Sequence, residues 1–157
     1  MIDTKRRSFL RATAASGVVA VAAATGLLKP TQVLAASWPS KAFEGRTVDE
    51  ALNALFGSSQ RTKSDDIKIT ANIQAENGAS VPVAFRASMP NVTAVGIYVH
   101  ENAQPLAANV SVTGGAGYLR ANIKMLKTSK VEFVAQAGGK LYTNSIKIKV
   151  TAGGCGG

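Results

Sequence analysis

From residue 67 to residue 150, apolar side chains recur at every second position in short runs broken by Gly, Pro, Asn and Ser. A strand turns alternate side chains to opposite faces, so each run predicts a strand with one buried face. Ile67, Ile69, Ala71, Ile73 and Ala75 make the first run. Glu76-Asn77-Gly78 then predicts a hairpin turn, and Val81, Val83 and Phe85 the returning strand. Val95, Ile97 and Val99 share one face of a third strand, with Tyr98 and His100 opposite. A weaker strand spans Leu106 to Val112. Leu119, Ala121, Ile123 and Met125 face one way in the fifth, with Arg120, Asn122 and Lys124 facing the other. Val131, Phe133, Ala135 and Ala137 form the sixth, closed by Gly138-Gly139. Tyr142, Ile146, Ile148 and Val150 line the last, with Lys147 and Lys149 opposite. Seven short strands without intervening helices predict an all-β fold, an immunoglobulin-like two-sheet antiparallel sandwich.

Ahead of the strands the period changes. Val48, Ala51, Leu52, Leu55 and Phe56 recur at helical spacing. Thr47-Val48-Asp49-Glu50 reads as a capping box, with Thr47 accepting from the Glu50 amide and Glu50 reaching back to the Thr47 amide. Gly57 is the expected stop. This short N-terminal helix is expected to lid an open end or face of the sandwich.

The first 35 residues follow neither period. Lys5, Arg6, Arg7 and Arg11 precede an uncharged, Ala-rich run over residues 12–28, and Val33-Leu34-Ala35 supplies a small-x-small cleavage site. This predicts a removed export signal over 1–35. Gly17, Gly26, Ser16, Thr13 and Thr25 dilute the run and argue against a membrane-spanning helix, so no stable membrane insertion is expected. Arg6-Arg7-Ser8-Phe9-Leu10-Arg11 resembles a twin-arginine signal, which implies a bacterial protein exported in the folded state to the periplasm. The remaining organisation is an N-terminal segment with the helix over 36–66, the sandwich over 67–150 and a flexible arm over 151–157.

Composition narrows the chemistry. The chain has one cysteine, Cys155, and one histidine, His100, which leaves no intramolecular disulfide and no donor set for a conventional zinc site. No metal and no cofactor are expected. His100 reads as a surface or loop histidine. Gly114, Gly115 and Gly117 have no lysine or helix after them at phosphate-loop spacing. Losing residues 1–35 removes five of the 18 basic and one of the nine acidic residues and leaves a charge of +5. That is too diffuse to argue for nucleic acid; it fits an anionic ligand or an acidic partner better, and equally a surface whose charge only keeps the protein soluble.

The candidate chemistry lies in Thr151-Ala152-Gly153-Gly154-Cys155-Gly156-Gly157. Gly153 and Gly154 form a joint with wide φ/ψ freedom. A stem whose one reactive side chain is a sulfur is thin enough to thread a narrow channel. An enzyme would set its nucleophile beside a fixed base, and this tail offers none. Cys155 is therefore read as a covalent attachment point carried into other proteins' active sites, not as a catalytic residue. The alternative is an exported structural β-sandwich module that dimerises through a Cys155 disulfide. A sulfur carrier of the ubiquitin-like kind would leave Cys155 without a role.

Together, the twin-arginine pattern, the small β-rich domain and Gly153-Gly154-Cys155-Gly156-Gly157 resemble the SoxY family, sulfur-compound carriers of the periplasmic thiosulfate-oxidising (Sox) system. The resemblance implies that Cys155 receives thiosulfate from a haem-containing conjugating enzyme as a cysteine S-thiosulfonate. It implies a hydrolase that releases sulfate and, in some systems, a molybdenum-containing sulfane dehydrogenase that oxidises the remaining sulfur. It also implies a stable heterodimer with a SoxZ-like subunit that has no export signal of its own. Co-export with such a partner accounts for a twin-arginine leader on a chain without a cofactor motif.

Overall fold

The computed structural model describes residues 38–115 and 117–151. The expected export signal over 1–35 and the tail beyond Thr151 lie outside the described residues. By contact the chain divides after Trp38, and the fold is that of the second unit.

Two helices, α1 (Ser40–Glu44) and α2 (Val48–Phe56), come first. The described strands are β1 (Arg61–Lys63), β2 (Ile67–Ala71), β3 (Gln74–Ala75), β4 (Val81–Ala87), β5 (Val92–Val99), β6 (Leu106–Ser111), β7 (Gly117–Ile123), β8 (Ser129–Ala137) and β9 (Lys140–Val150). One sheet has the order β2-β4-β7; the other has the order β1-β9-β8-β5-β6, with β3 added beside β9. The long ladders are antiparallel, as an immunoglobulin-type sandwich requires, but the short β1 and β3 run parallel to β9.

The alternating side chains meet between the sheets. Ile67, Val83 and Phe85 of one sheet and Val95, Ile97, Val131, Phe133 and Ile148 of the other are at most 2% exposed. The Phe85 and Phe133 rings touch across the interface with centroids 5.1 Å apart. Burying each of these side chains stabilises the fold by roughly 1.5–3 kcal/mol.

A second apolar layer lies on the outer face of the larger sheet. Ala42 of α1 and Val48, Ala51 and Leu52 of α2 pack on Tyr98, Leu106, Val134 and Leu141. Strands β5 and β8 are thereby buried on both faces, and Tyr98 is fully buried where alternation had turned it outward. Gly96 makes room for it: a Cβ there would stand 3.1 Å from Cε2 and 3.2 Å from the hydroxyl of Tyr98. The helix thus lids a face, with α1 as an unforeseen partner. At its start Thr47 Oγ1 accepts from the Glu50 amide at 3.1 Å. Glu50 reaches back to the Arg46 amide at 2.7 Å, one residue earlier than the capping box supposes. Gly57 ends the helix at φ +70°, its N–H on the Asn53 carbonyl.

Two other expectations change. The run from Ile67 to Ala75 is not one strand: β2 ends at Ala71, Ile73 is 70% exposed, and β3 crosses to the other sheet. The Asn77-Gly78 turn therefore joins strands of different sheets and is not a hairpin. Strand β1 falls within the segment read as N-terminal and joins the larger sheet. Its Arg-Thr-Lys sequence carries no apolar alternation to reveal it.

Candidate functional site

Cys155, Gly153, Gly154, Gly156 and Gly157 lie outside the described residues, as do Arg6 and Arg7. The structure describes the base from which the tail departs. Strand β9 is gripped on both sides at its end. The Lys149 amide donates to the Ile73 carbonyl at 2.8 Å, and the Thr151 amide donates to the Ala75 carbonyl at 3.0 Å. From the other side, Thr128 Oγ1 accepts from the Val150 amide at 3.0 Å. The chain is thus anchored through Thr151. Four residues further on, Cys155 can stand at most about 14 Å from that anchor at full extension.

The anchor rests on a close backbone approach. The Met125 amide donates to the Gly78 carbonyl at 2.7 Å. A Cβ on Gly78 would lie 2.3 Å from the Met125 carbonyl oxygen and 3.0 Å from a Val150 methyl. Only glycine fits, which explains the turn residue that the sequence read as a hairpin. Leu126, the next residue, is 60% exposed, as is Ile73 at 70% across the root. Two large apolar side chains therefore stand in solvent where the tail leaves.

Elsewhere the chief electrostatic feature is Glu132, on the outer face of β8 and 3% exposed. Arg61 Nε binds its Oε1 at 2.5 Å, Thr143 Oγ1 donates to the same oxygen at 2.8 Å, and His100 Nε2 lies 2.7 Å from Oε2. Arg61 also spans to Asp49 of α2 at 2.7 Å, and Lys130 stands 3.5 Å from Glu132. Burial alone would push the Glu132 carboxyl up. The hydrogen bonds from Arg61, Thr143 and His100 outweigh it and hold the carboxyl at about 2 against an ordinary 4.5. Burial, with the Glu132 charge behind it, pushes the Tyr98 phenol up. The cluster ties β1 and α2 to the sheet. His100 lies in the turn after β5, as a loop histidine was expected to, and there it meets the buried Glu132 carboxylate. Sequence reading missed Glu132 because its strand was taken as buried on one face. The signal was there in Val131-Glu132-Phe133-Val134-Ala135: a charge inside an apolar run must be buried with a partner.

Among the described residues no group of three His, Cys, Asp or Glu could hold a metal ion. No helix among them is long and apolar enough to cross a membrane. Two open hollows lie elsewhere. One, of about 470 Å³, runs between Arg86, Ser88, Asn91 and Gly114. The other, of about 540 Å³, lies between Phe56, Arg61, Lys140 and Leu141. Neither is lined by a cysteine or histidine.

The family model described as "Sulfur oxidation protein SoxY" matches residues 52–155. Among solved structures, the sulfur carrier protein SoxY from Chlorobium limicola f thiosulfatophilum is 38% identical, with a TM-score of 0.61 over 67% of this chain and 96% of that one. A superoxide reductase (neelaredoxin) from Ignicoccus hospitalis is 15% identical, with a TM-score of 0.47 over 54% of this chain and 80% of that one. No curated protein matches the sequence.

Proposed function

Since this chain belongs to the SoxY family and so is a sulfur carrier of Sox thiosulfate oxidation, we propose that Cys155 is where the sulfur is bound. The observation that carries the proposal is the family match itself, which runs to Cys155, the one thiol of the sequence. The anchored root and the four-residue reach beyond Thr151 support it.

The chemistry proceeds in balanced steps. The Cys155 thiolate and the sulfane sulfur of thiosulfate form an S–S bond, and two electrons pass to the haem of the conjugating enzyme. Water then attacks the sulfone sulfur. Sulfate leaves, two protons are released, and a persulfide remains on Cys155. A sulfane dehydrogenase takes six electrons from that outer sulfur, with three waters as oxygen source, and leaves an S-sulfonate. A second hydrolysis returns the thiolate. This chain holds and presents the group, and the partner enzymes supply oxidant and hydrolytic machinery.

The joint is testable. Replacing Gly153 and Gly154 by Val adds β-branched side chains that restrict φ/ψ and χ1. Alkylation of Cys155 by a small reagent should proceed as before, while thiosulfate loading by the haem enzyme should fall at least tenfold. Loss of both, or of neither, contradicts a stem that threads into active sites.

The proposal includes periplasmic delivery through Arg6 and Arg7 and a stable SoxZ-like partner carried along. Arg6→Lys with Arg7→Lys should hold both proteins in the cytoplasm, read by fractionation. Arrival of the partner in the periplasm without this leader would refute co-export.

A further inference from the structure

The outer face of the three-stranded sheet has no part in the carrier chemistry, yet its composition is one-sided. Alternation turns Lys68 of β2, Arg86 of β4, and Tyr118 and Arg120 of β7 to solvent, and all four are exposed. The register sets Lys68 directly opposite Arg86, and Arg86 directly opposite Tyr118. Arg120 pairs with Ala84, one step diagonally from Arg86. The three strands contain no Asp or Glu. The nearest acids in sequence, Asp65 and Asp66, lie in the turn before β2, and Asp66 accepts from Ser64. Among the described residues none of the three cations is in an ion pair.

Like charges directly opposite each other on paired strands destabilise a sheet. Lys68 and Arg86 hold that arrangement unrelieved. The Arg86 guanidinium lies over the Tyr118 ring at 5.1 Å, which fixes one cation in place above an exposed aromatic. Arg and Tyr are the residue types that anchor protein interfaces. In the neighbouring row the small Thr70 and Ala84 pair with each other, and Ala84 pairs with Arg120. One end of the face lies near the root of the tail: a Cβ on Gly78, just before β4, would stand 3.0 Å from a Val150 methyl. At strand spacing, Arg86 lies roughly 17 Å along from Val81 at that end.

We propose that this face is a docking surface for an acidic protein surface, whose carboxylates relieve the Lys68–Arg86 repulsion. The inference is independent of the role of Cys155. A protein is favoured over a bilayer because Tyr118, the one large aromatic side chain among these four, is engaged by the Arg86 guanidinium, and the three strands offer no amphipathic helix to lie among lipid headgroups.

The test uses the full mature protein, isotope-labelled, with a deca-glutamate peptide as probe. Amide shifts should concentrate in β2, β4 and β7, and affinity should fall at least tenfold when salt rises from low to physiological. Lys68→Glu with Arg120→Glu should abolish those shifts. Because Lys68→Glu places opposite charges in register, it should not lower the urea midpoint, which separates lost docking from lost fold. Lys147→Glu with Lys149→Glu removes the same charge from the other sheet and should leave peptide binding intact. Shifts that map elsewhere, equal loss in the two double variants, or tighter binding to phosphatidylglycerol vesicles than to the peptide would each overturn the proposal.

Discussion

Cys155→Ser is expected to abolish thiosulfate oxidation in a reconstituted Sox system while leaving the protein folded. No second thiol can substitute, because the sequence contains none. Serine keeps the shape of the stem but cannot form the S–S bond on which every later step acts. The position follows the last described residue, Thr151, by four, and lies beyond the strands that form the core, so stability should change by less than about 0.5 kcal/mol. Turnover with added thiosulfate and the denaturation midpoint, measured on one preparation, separate the two effects. Retained oxidation by the serine variant would remove Cys155 from the mechanism.

The second large effect concerns the fold beneath that chemistry. Glu132→Ala removes the buried carboxylate that Arg61 and His100 share, leaving Arg61 with Asp49 and the Ser59 carbonyl and Thr143 with the Phe133 carbonyl. Breaking a fully buried pair costs about 3–5 kcal/mol, and because Arg61 is 19% exposed and keeps Asp49 and the Ser59 carbonyl the loss should fall at or below the low end of that range. A domain of this size is stable by only about 5–15 kcal/mol, so much of its margin goes. The pH dependence has a definite sign. The folded carboxyl sits at about 2, below its ordinary 4.5. Its ionised form therefore contributes stability in full above pH 4.5, and that contribution fades as pH falls through the window down to 2. Glu132→Gln should be much less stable than wild type at neutral pH in urea titrations, and the gap should narrow below pH 4. A gap of constant size would mean that the Glu132 charge does not support the fold.

The sandwich was legible because its inner face obeys period 2. Val83, Phe85, Ile97, Phe133 and Ile148 all lie where alternation puts them. Alternation is silent where both faces are buried. Tyr98, Val134 and Leu141 belong to a second layer that exists because α1 and α2 cover the sheet, and a rule for half-buried strands turned Tyr98 outward. Sheet switching is equally hidden. Ile73 continues the apolar rhythm of β2, yet the chain leaves that sheet at Asn72, and β3 takes its place beside β9. Gly78 was recognised as a turn residue, but its reason is contact with Met125 and Val150, both remote in sequence. The candidate attachment site was legible for the opposite cause. Gly153-Gly154-Cys155-Gly156-Gly157 needs no tertiary neighbours to be read, whereas Glu132 acquires its meaning only from Arg61, His100 and Thr143, brought together by folding.

Intact-mass analysis of the protein from thiosulfate-grown cells tests the central claim most directly. The account predicts a monomer mass increased by bound sulfur species, the increase mapping to Cys155 and vanishing under reduction when the group is a persulfide or thiosulfonate. A protein found only as an unmodified thiol and as a reducible dimer of two Cys155 residues would contradict it.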